Sequence, residues 1–240
     1  YDPAYAYEIR HIVRDALDRW YGPDSGRDRN IMYYLTVYNE PMVQPAEPAD
    51  VDVEGIIKGI HRIAGAPESD GPEVQLLASG VGVPWALEAQ QLLKDDYGVV
   101  ADVWSVTSWG ELRREGLARD KARFNDPFGE HAPTWVESKL AGTQGPVVAV
   151  SDYMHAVPDL IRPWVPREYT TLGADGFGFS DTRAAARRYY NIDGPSIAVA
   201  VLQQLALKGE VPREWPLEAA RRYRLDDVTA GASGKTGDSE

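Results

Sequence analysis

Between residues 73 and 208 the sequence alternates short apolar runs with longer segments of helical spacing, and this alternation limits the folds open to it. "EVQLLASG" reads as a strand and leads into a helix from Pro84 to Tyr97, closed by Gly98. "VVADVWSVTS" is the next strand, followed by a charged stretch without regular period as far as about Pro133. A short helix from Trp135 to Ala141 precedes the strand "GPVVAVSDY", and a helix near Met154 to Val165 follows. The strand "EYTTLG", a glycine-rich turn, a helix from Asp181 to Tyr190 and a last helix from Pro195 to Lys208, stopped by Gly209, complete the series. Strands with no polar face are buried on both sides, and strands alternating with helices pair in parallel. The expectation is an α/β fold with an open, mostly parallel sheet and helices on both faces. No internal repeat is visible.

The first 50 residues read differently. Asp2 as cap, Pro3 in the first turn and Gly22 as stop mark a helix over residues 2–22. Tyr5, Ile9, Ile12, Val13, Ala16, Leu17 and Trp20 recur at helical spacing on one face. "NIMYYLTVYNE", rich in β-branched and aromatic residues, reads as a strand. One helix and one strand have no sheet to join, so Tyr5, Ile9, Ile12 and Trp20 are expected to be poorly covered. Pro41, Pro45 and Pro48 then hold residues 41–50 extended as a linker. The opening at Tyr1, running straight into a capped helix, fits a cut through a longer polypeptide or a processed N-terminus. Residues 229–240, small and polar, read as a disordered tail.

Composition removes several classes of function. A net charge of −12 over 240 residues argues against nucleic acid or an anionic membrane surface as the main partner. The absence of cysteine excludes disulfides, thiolate chemistry and cysteine-ligated zinc. Apolar runs such as "PSIAVAVLQQLAL" are too short and interrupted to span a bilayer, and no leader precedes them, which points to the cytoplasm. Seven tryptophans and thirteen tyrosines among 43% hydrophobic residues supply a sizeable core.

Few motifs carry chemistry. Gly234-Lys235-Thr236 has Thr229 where a phosphate loop needs its first glycine, and no helix follows. Asp152 and His155 follow the strand "VVAVS", where α/β sheets place ligands. They form either a proton-shuttling pair or a helix cap with an exposed neighbour. His11, His61 and His131 share no metal-ligand spacing. Gly173, Gly176 and Gly178 crowd a turn before a helix, with Ser180 or Asp181 available as cap. Their spacing is not that of a dinucleotide fingerprint, and Asp175 and Asp181 repel a diphosphate. Arg183, Arg187 and Arg188 attract anions, but from within the helix. A structural turn fits better than a phosphate cradle.

Taken in order, "YDPAYAYEIRHIVRDALDRWYG", "YYLTVYNEPMVQPA", "VQLLASG", "DVWSVTSW", "VAVSDYM" and "LGADGFGFSDTR" resemble the C-terminal part of the bacterial homodimeric pyruvate dehydrogenases. These belong to the transketolase superfamily, and "TVYNEPMVQPAEP" leans towards actinobacterial forms. The resemblance implies that residues 1–40 are the last helix and strand of a pyrimidine-binding domain. Residues 41–50 would be the linker and residues 51–228 a transketolase C-terminal-like domain. It implies an enzyme that decarboxylates pyruvate on thiamine diphosphate with magnesium and reductively acetylates the lipoyl group of an acyltransferase component. It further implies a homodimer in a multienzyme complex. The family's "GDG" start, its activating glutamate and its active-site histidines find no counterpart here, so no catalytic, cofactor-binding or metal-binding residue is assigned. By position alone, Asn39 and Glu40 would lie at the rim of the substrate entrance. Three alternatives stay open: a transketolase, a 2-oxoglutarate dehydrogenase, or an α/β assembly subunit that pairs with a separate thiamine-binding chain.

Overall fold

A computed structural model describes residues 1–23 and 27–233 of the chain. Its centre is a five-stranded sheet of β1 (His61–Ala64), β2 (Glu73–Ala78), β3 (Val100–Ser105), β4 (Val147–Val150) and β5 (Tyr169–Leu172), in the order β1-β3-β2-β4-β5. β2 pairs in parallel with β3 on one side and β4 on the other, and β4 pairs in parallel with β5. Only β1, at the edge, is antiparallel. The expected open, mostly parallel α/β architecture is what forms.

Alternation along the strands feeds two separate cores. Val74, Leu76, Ala78, Val103, Val148 and Val150 face one side, where α1 (Ala6–Tyr21), α3 (Gly82–Tyr97), α7 (Gly194–Lys208) and α8 (Trp215–Arg222) pack. Leu77, Trp104, Val147 and Ala149 face the other, against α4 (Trp109–Asn125) and α5 (Trp135–Leu140). Each strand presents apolar side chains to both faces, which is why its sequence shows no polar alternation. α2 (Val53–Lys58) precedes β1, and α6 (Arg183–Tyr189) follows the glycine turn.

Several expected elements differ. The charged stretch before Pro133 is the 17-residue helix α4, capped by Ser108, whose hydroxyl accepts from the Glu111 amide at 3.1 Å. Only Trp109, Leu112 and Gly116 of this helix are buried, so its apolar stripe is too thin to show a period. Pairs such as Arg119–Glu115, 2.7 Å apart one turn along, support its exposed face. The segment near Met154 forms a 3-10 helix over Pro158–Trp164, where Pro163 interrupts the α-helical ladder. Val228–Ser233 form another 3-10 turn, while Gly234, Lys235, Thr236 and the rest of the expected disordered tail lie outside the described residues.

The first 50 residues depart most from expectation. α1 starts at Ala6, and Asp2 does not cap it. Instead Glu8 reaches back, its Oε2 accepting from the Ala4 and Tyr5 amides at 2.7 and 2.8 Å. "NIMYYLTVYNE" forms no strand, because no sheet edge lies beside it. It is extended, with Tyr33, Leu35 and Tyr38 packed against the core and Met32, Tyr34 and Val37 exposed. Tyr5 and Ile12 are buried, and Ile9 and Trp20 are half-covered, contrary to the expected bare stripe. The uncovered apolar residues are instead Val13, Leu17, Tyr21 and the outer side of residues 32–43.

One polar contact fixes α1 to the sheet. Glu8 Oε1 lies 2.6 Å from Nε2 of His61 at the start of β1, and neither side chain is more than 2% exposed. A buried carboxylate or imidazole left alone carries its full desolvation cost. Glu8→Ala strands the His61 ring and two amides at once. Chemical denaturation is expected to show a loss of about 3–5 kcal/mol, and a loss below about 1 kcal/mol would show that the pair is not what seats the helix.

Candidate functional site

In the strand order, β2 leads through α3 to β3 on one side, and the chain returns to β4 on the other. The C-terminal ends of β2 and β4 therefore flank the point where the winding reverses, the place where open α/β sheets leave a crevice for ligands. Here Ser79 and Ser151 are fully buried, with their hydroxyls 3.5 Å apart. Asp152 follows, at the mouth.

Residues from the start of the chain fill this crevice. The Asp2 amide donates to the Thr107 carbonyl at 2.7 Å, and the Gly80 amide donates to the Asp2 carbonyl at 3.1 Å. Oδ1 of Asp2 accepts from the hydroxyls of Thr36 and Tyr38, both at 2.5 Å. The Tyr38 hydroxyl also lies 3.4 Å from Asp152 Oδ1. Burial, and then the charge of Asp2, push the Asp152 carboxyl up to about 6. Burial and Asp2 likewise push the Tyr38 phenol well above its ordinary range. A carboxyl that keeps its proton to near-neutral pH beside an ionisable neighbour is a group able to hold or pass a proton. Beside it opens a cleft of ≈ 400 Å³ whose walls include Asp2, Thr36, Tyr153, Trp109 and Arg114.

The sequence candidates are distributed otherwise. Asp152 and His155 do not pair with each other. His155 Nδ1 lies 2.6 Å from Asp175 Oδ2, and its amide donates to Asp175 Oδ1 at 3.0 Å, both side chains being partly exposed. The three other histidines are separate: His11 is 2.8 Å from Glu47, His61 meets Glu8, and His131 contacts the Asp126 carbonyl at 2.6 Å. Asn39 accepts from Arg183 at 3.0 Å and Glu40 pairs with Arg187, so both are fastened to α6. Arg188 is buried, with Nε 2.6 Å from Asp193 and Nη1 donating to the carbonyls of Tyr223 and Arg224. Sequence reasoning missed Asp2, Thr36 and Tyr38, whose partners lie 34 to 114 positions away.

The glycine turn is a structural turn. Gly176 has φ +92°, and the cap of α6 is Thr182, whose hydroxyl accepts from the Ala185 amide at 3.2 Å, not Ser180 or Asp181. Asp181 accepts from the Thr182 amide at 2.7 Å, so a carboxylate occupies the position an anion would need. Among the described residues no group of three or more carboxylates or histidines is disposed to hold a metal ion. These residues do not fit a diphosphate–magnesium cofactor.

A parallel α/β sheet of this order, with its crevice at the reversal of the winding, defines the class, and comparison gives the family. The model of the transketolase-like TK C-terminal domain matches residues 59–193, more than half of the chain, and the chain belongs to that family. Among curated proteins it is similar to the pyruvate dehydrogenase E1 component of Mycolicibacterium smegmatis, 56% identical over 230 residues, covering 96% of this chain and 24% of that protein. It is 52% identical over 236 residues to the E1 component of Mycobacterium tuberculosis, covering 98% of this chain and 25% of that protein. With that of Escherichia coli K12 it shares 39% over 227 residues, covering 94% and 25%. The chain thus spans about a quarter of the length of the curated relatives it matches. Among solved structures, a transketolase from Pichia stipitis superposes with a TM-score of 0.52, at 16% identity, over 86% of this chain and 25% of its own. That likeness shows the fold. Together these findings agree with the resemblance read from the motifs, including its actinobacterial leaning.

Two glycines of the site region test its geometry. Gly80 has φ +49°, and an added Cβ would stand 2.3 Å from the Tyr38 hydroxyl. Gly80→Ala is expected to cost about 1–3 kcal/mol through strain and displacement of Tyr38. Gly176→Ala, strained but with open space around it, should cost about 1 kcal/mol. Thermal denaturation compares the two, and equal costs would mean that Tyr38 is not held against Gly80.

Proposed function

We propose that residues 1–240 are the C-terminal part of a pyruvate dehydrogenase E1 component. The whole protein, on this reading, decarboxylates pyruvate and reductively acetylates the lipoyl group of an acyltransferase partner, as a cytoplasmic homodimer within the pyruvate dehydrogenase complex. The observation that carries it is 56% identity to such a component across 96% of the chain. Thiamine diphosphate and magnesium are bound by parts of the protein outside these residues.

This segment's contribution is architectural. Residues 1–40 are the edge of a pyrimidine-binding domain, residues 41–50 the linker, and residues 51–228 a domain that supports it and extends the dimer. The apolar outer side of residues 32–43, with Met32 88% and Val43 89% exposed, supports this reading as a face meant to be covered. Asn39 and Glu40 form the rim of the substrate entrance. Their contacts with Arg183 and Arg187 on α6 support that role by fixing the rim to the sheet domain.

Residues 1–240 alone, given pyruvate, thiamine diphosphate and magnesium, should release no carbon dioxide above the enzyme-free control, while the full-length polypeptide should release it. A full-length protein that decarboxylates 2-oxoglutarate instead, or that transfers ketol groups between sugars, would contradict the proposal. His155→Ala in the full-length protein should leave turnover within a few-fold of wild type, since its partner Asp175 ties it to the turn. A loss of about a thousandfold with unchanged stability is the size expected of an acid–base residue, and would show one here.

A further inference from the structure

α4 carries a second apolar stripe besides the one that packs on the sheet. Trp109, Leu112 and Gly116 face the core. Leu117 and Phe124, two turns apart on another face, are 48% and 85% exposed, and Phe128, on the turn that follows the helix, is 98% exposed. That turn is held in place. The Gly129 amide donates to the Asp126 carbonyl at 3.3 Å, and Nε2 of His131 lies 2.6 Å from the same oxygen.

The charge on this face is opposite to that of the chain. The net charge is −12, yet α4 holds five arginine and lysine side chains against three carboxylates. Each of those carboxylates is engaged from within the molecule. Glu111 pairs with Arg114, Glu115 with Arg119 at 2.7 Å, and Asp120 accepts from the Trp164 indole at 3.1 Å. Arg113 and Lys121, one turn before and one turn after Leu117, are exposed and make no ion pair among the described residues. The unmet charge is therefore positive, and it brackets the apolar side chains. Such a strip fits a segment that sets carboxylates beside one or two large apolar residues.

We propose that Arg113, Leu117, Lys121, Phe124 and Phe128 form a docking strip for an acidic amphipathic segment of the acyltransferase component. The proposal rests on the reading of the whole protein as a pyruvate dehydrogenase E1 component, whose acetyl group must pass to that separate protein. Two other occupants fit less well. A second copy of the chain, docked about a two-fold axis, would set the strip against itself, cation on cation. Two phenylalanines and a leucine also offer only on the order of 500 Å², against about 2,000 Å² or more for an obligate dimer. On the same reading, residues 1–40 belong to the neighbouring domain, and they meet α4 at its first turns. There Tyr1 and Met32 share a cleft with Glu111 and Arg114, while Phe124 stands about 15 Å beyond Arg114 along the helix axis. A small, charged strip away from that junction suits a contact made and broken at each turnover.

Isothermal titration of the full-length protein with the separately purified acyltransferase component tests this. Phe124→Ala should weaken binding about tenfold or more. Arg113→Glu combined with Lys121→Glu should weaken it by a similar factor at low salt and flatten its salt dependence, because the attracting charges are reversed. Decarboxylation of pyruvate, measured with an artificial electron acceptor in place of the lipoyl group, should stay within about twofold of wild type in every variant. A wild-type protein that fails this assay altogether defeats the reading of its function, and the proposal with it. With decarboxylation intact, the docking strip alone is overturned if the wild-type protein does not bind the acyltransferase, or if both variants bind it as wild type does. Unfolding or dissociation of either variant also overturns it, since the strip would then be covered within the protein itself.

Discussion

Burial of the carboxyl groups of Asp2 and Glu8 is tolerable only while their partners are in place, and that condition organises residues 1–38. Glu8 is satisfied by the Ala4 and Tyr5 amides and by His61, so it fixes both the start of α1 and the angle at which the helix meets β1. Oδ1 of Asp2 accepts from Thr36 and Tyr38, which draws the extended segment across the ends of β2 and β4. Neither contact is apolar, yet together they bring Ile12 and Tyr5 into the core beside Leu76 and Val103. Hydrophobic burial supplies the driving force, and the paired polar groups select where it is realised.

The sheet supplies the frame on which this happens. β2 is hydrogen-bonded on both edges, and apart from Gln75, which accepts from the Trp104 indole, its buried side chains are apolar, so polar side chains gather at its C-terminal end. Ser79, Gly80, Ser151 and Asp152 gather there because the winding reverses between β2 and β4. Gly80 leaves room for the Tyr38 hydroxyl, which an alanine methyl would displace. The crevice is thus closed by the chain's own residues on one side and opens into the cleft bounded by Trp109 and Arg114 on the other.

What could be read from the sequence followed from local chemistry. The apolar runs became β2 to β5, and the helices before Gly98 and Gly209 ended at those glycines because backbone preferences act over a few residues. α4 escaped notice because its stability comes from one thin apolar edge and surface ion pairs, neither of which leaves a strong period. The segment from Ile31 to Tyr38 has the inward–outward alternation of a strand, yet pairing requires a neighbour that sequence cannot supply. Asp152 was recognisable as a residue at a strand end, but its partners were not. His155, three residues away, turned to Asp175, while Asp2 and Tyr38 reached Asp152 from over a hundred positions upstream. Such long-range polar contacts leave no periodic trace.

Native-state hydrogen exchange tests most directly whether residues 1–38 and the sheet form one cooperative unit held by these buried carboxylates. The account predicts that the amides of Ile12 to Ala16 in α1 and of Leu76 and Leu77 in β2 are protected to within about tenfold of each other, as expected when both open only in global unfolding. Exchange of the α1 amides about a thousandfold faster than those of β2 would contradict it, because α1 would then open while the sheet stayed folded.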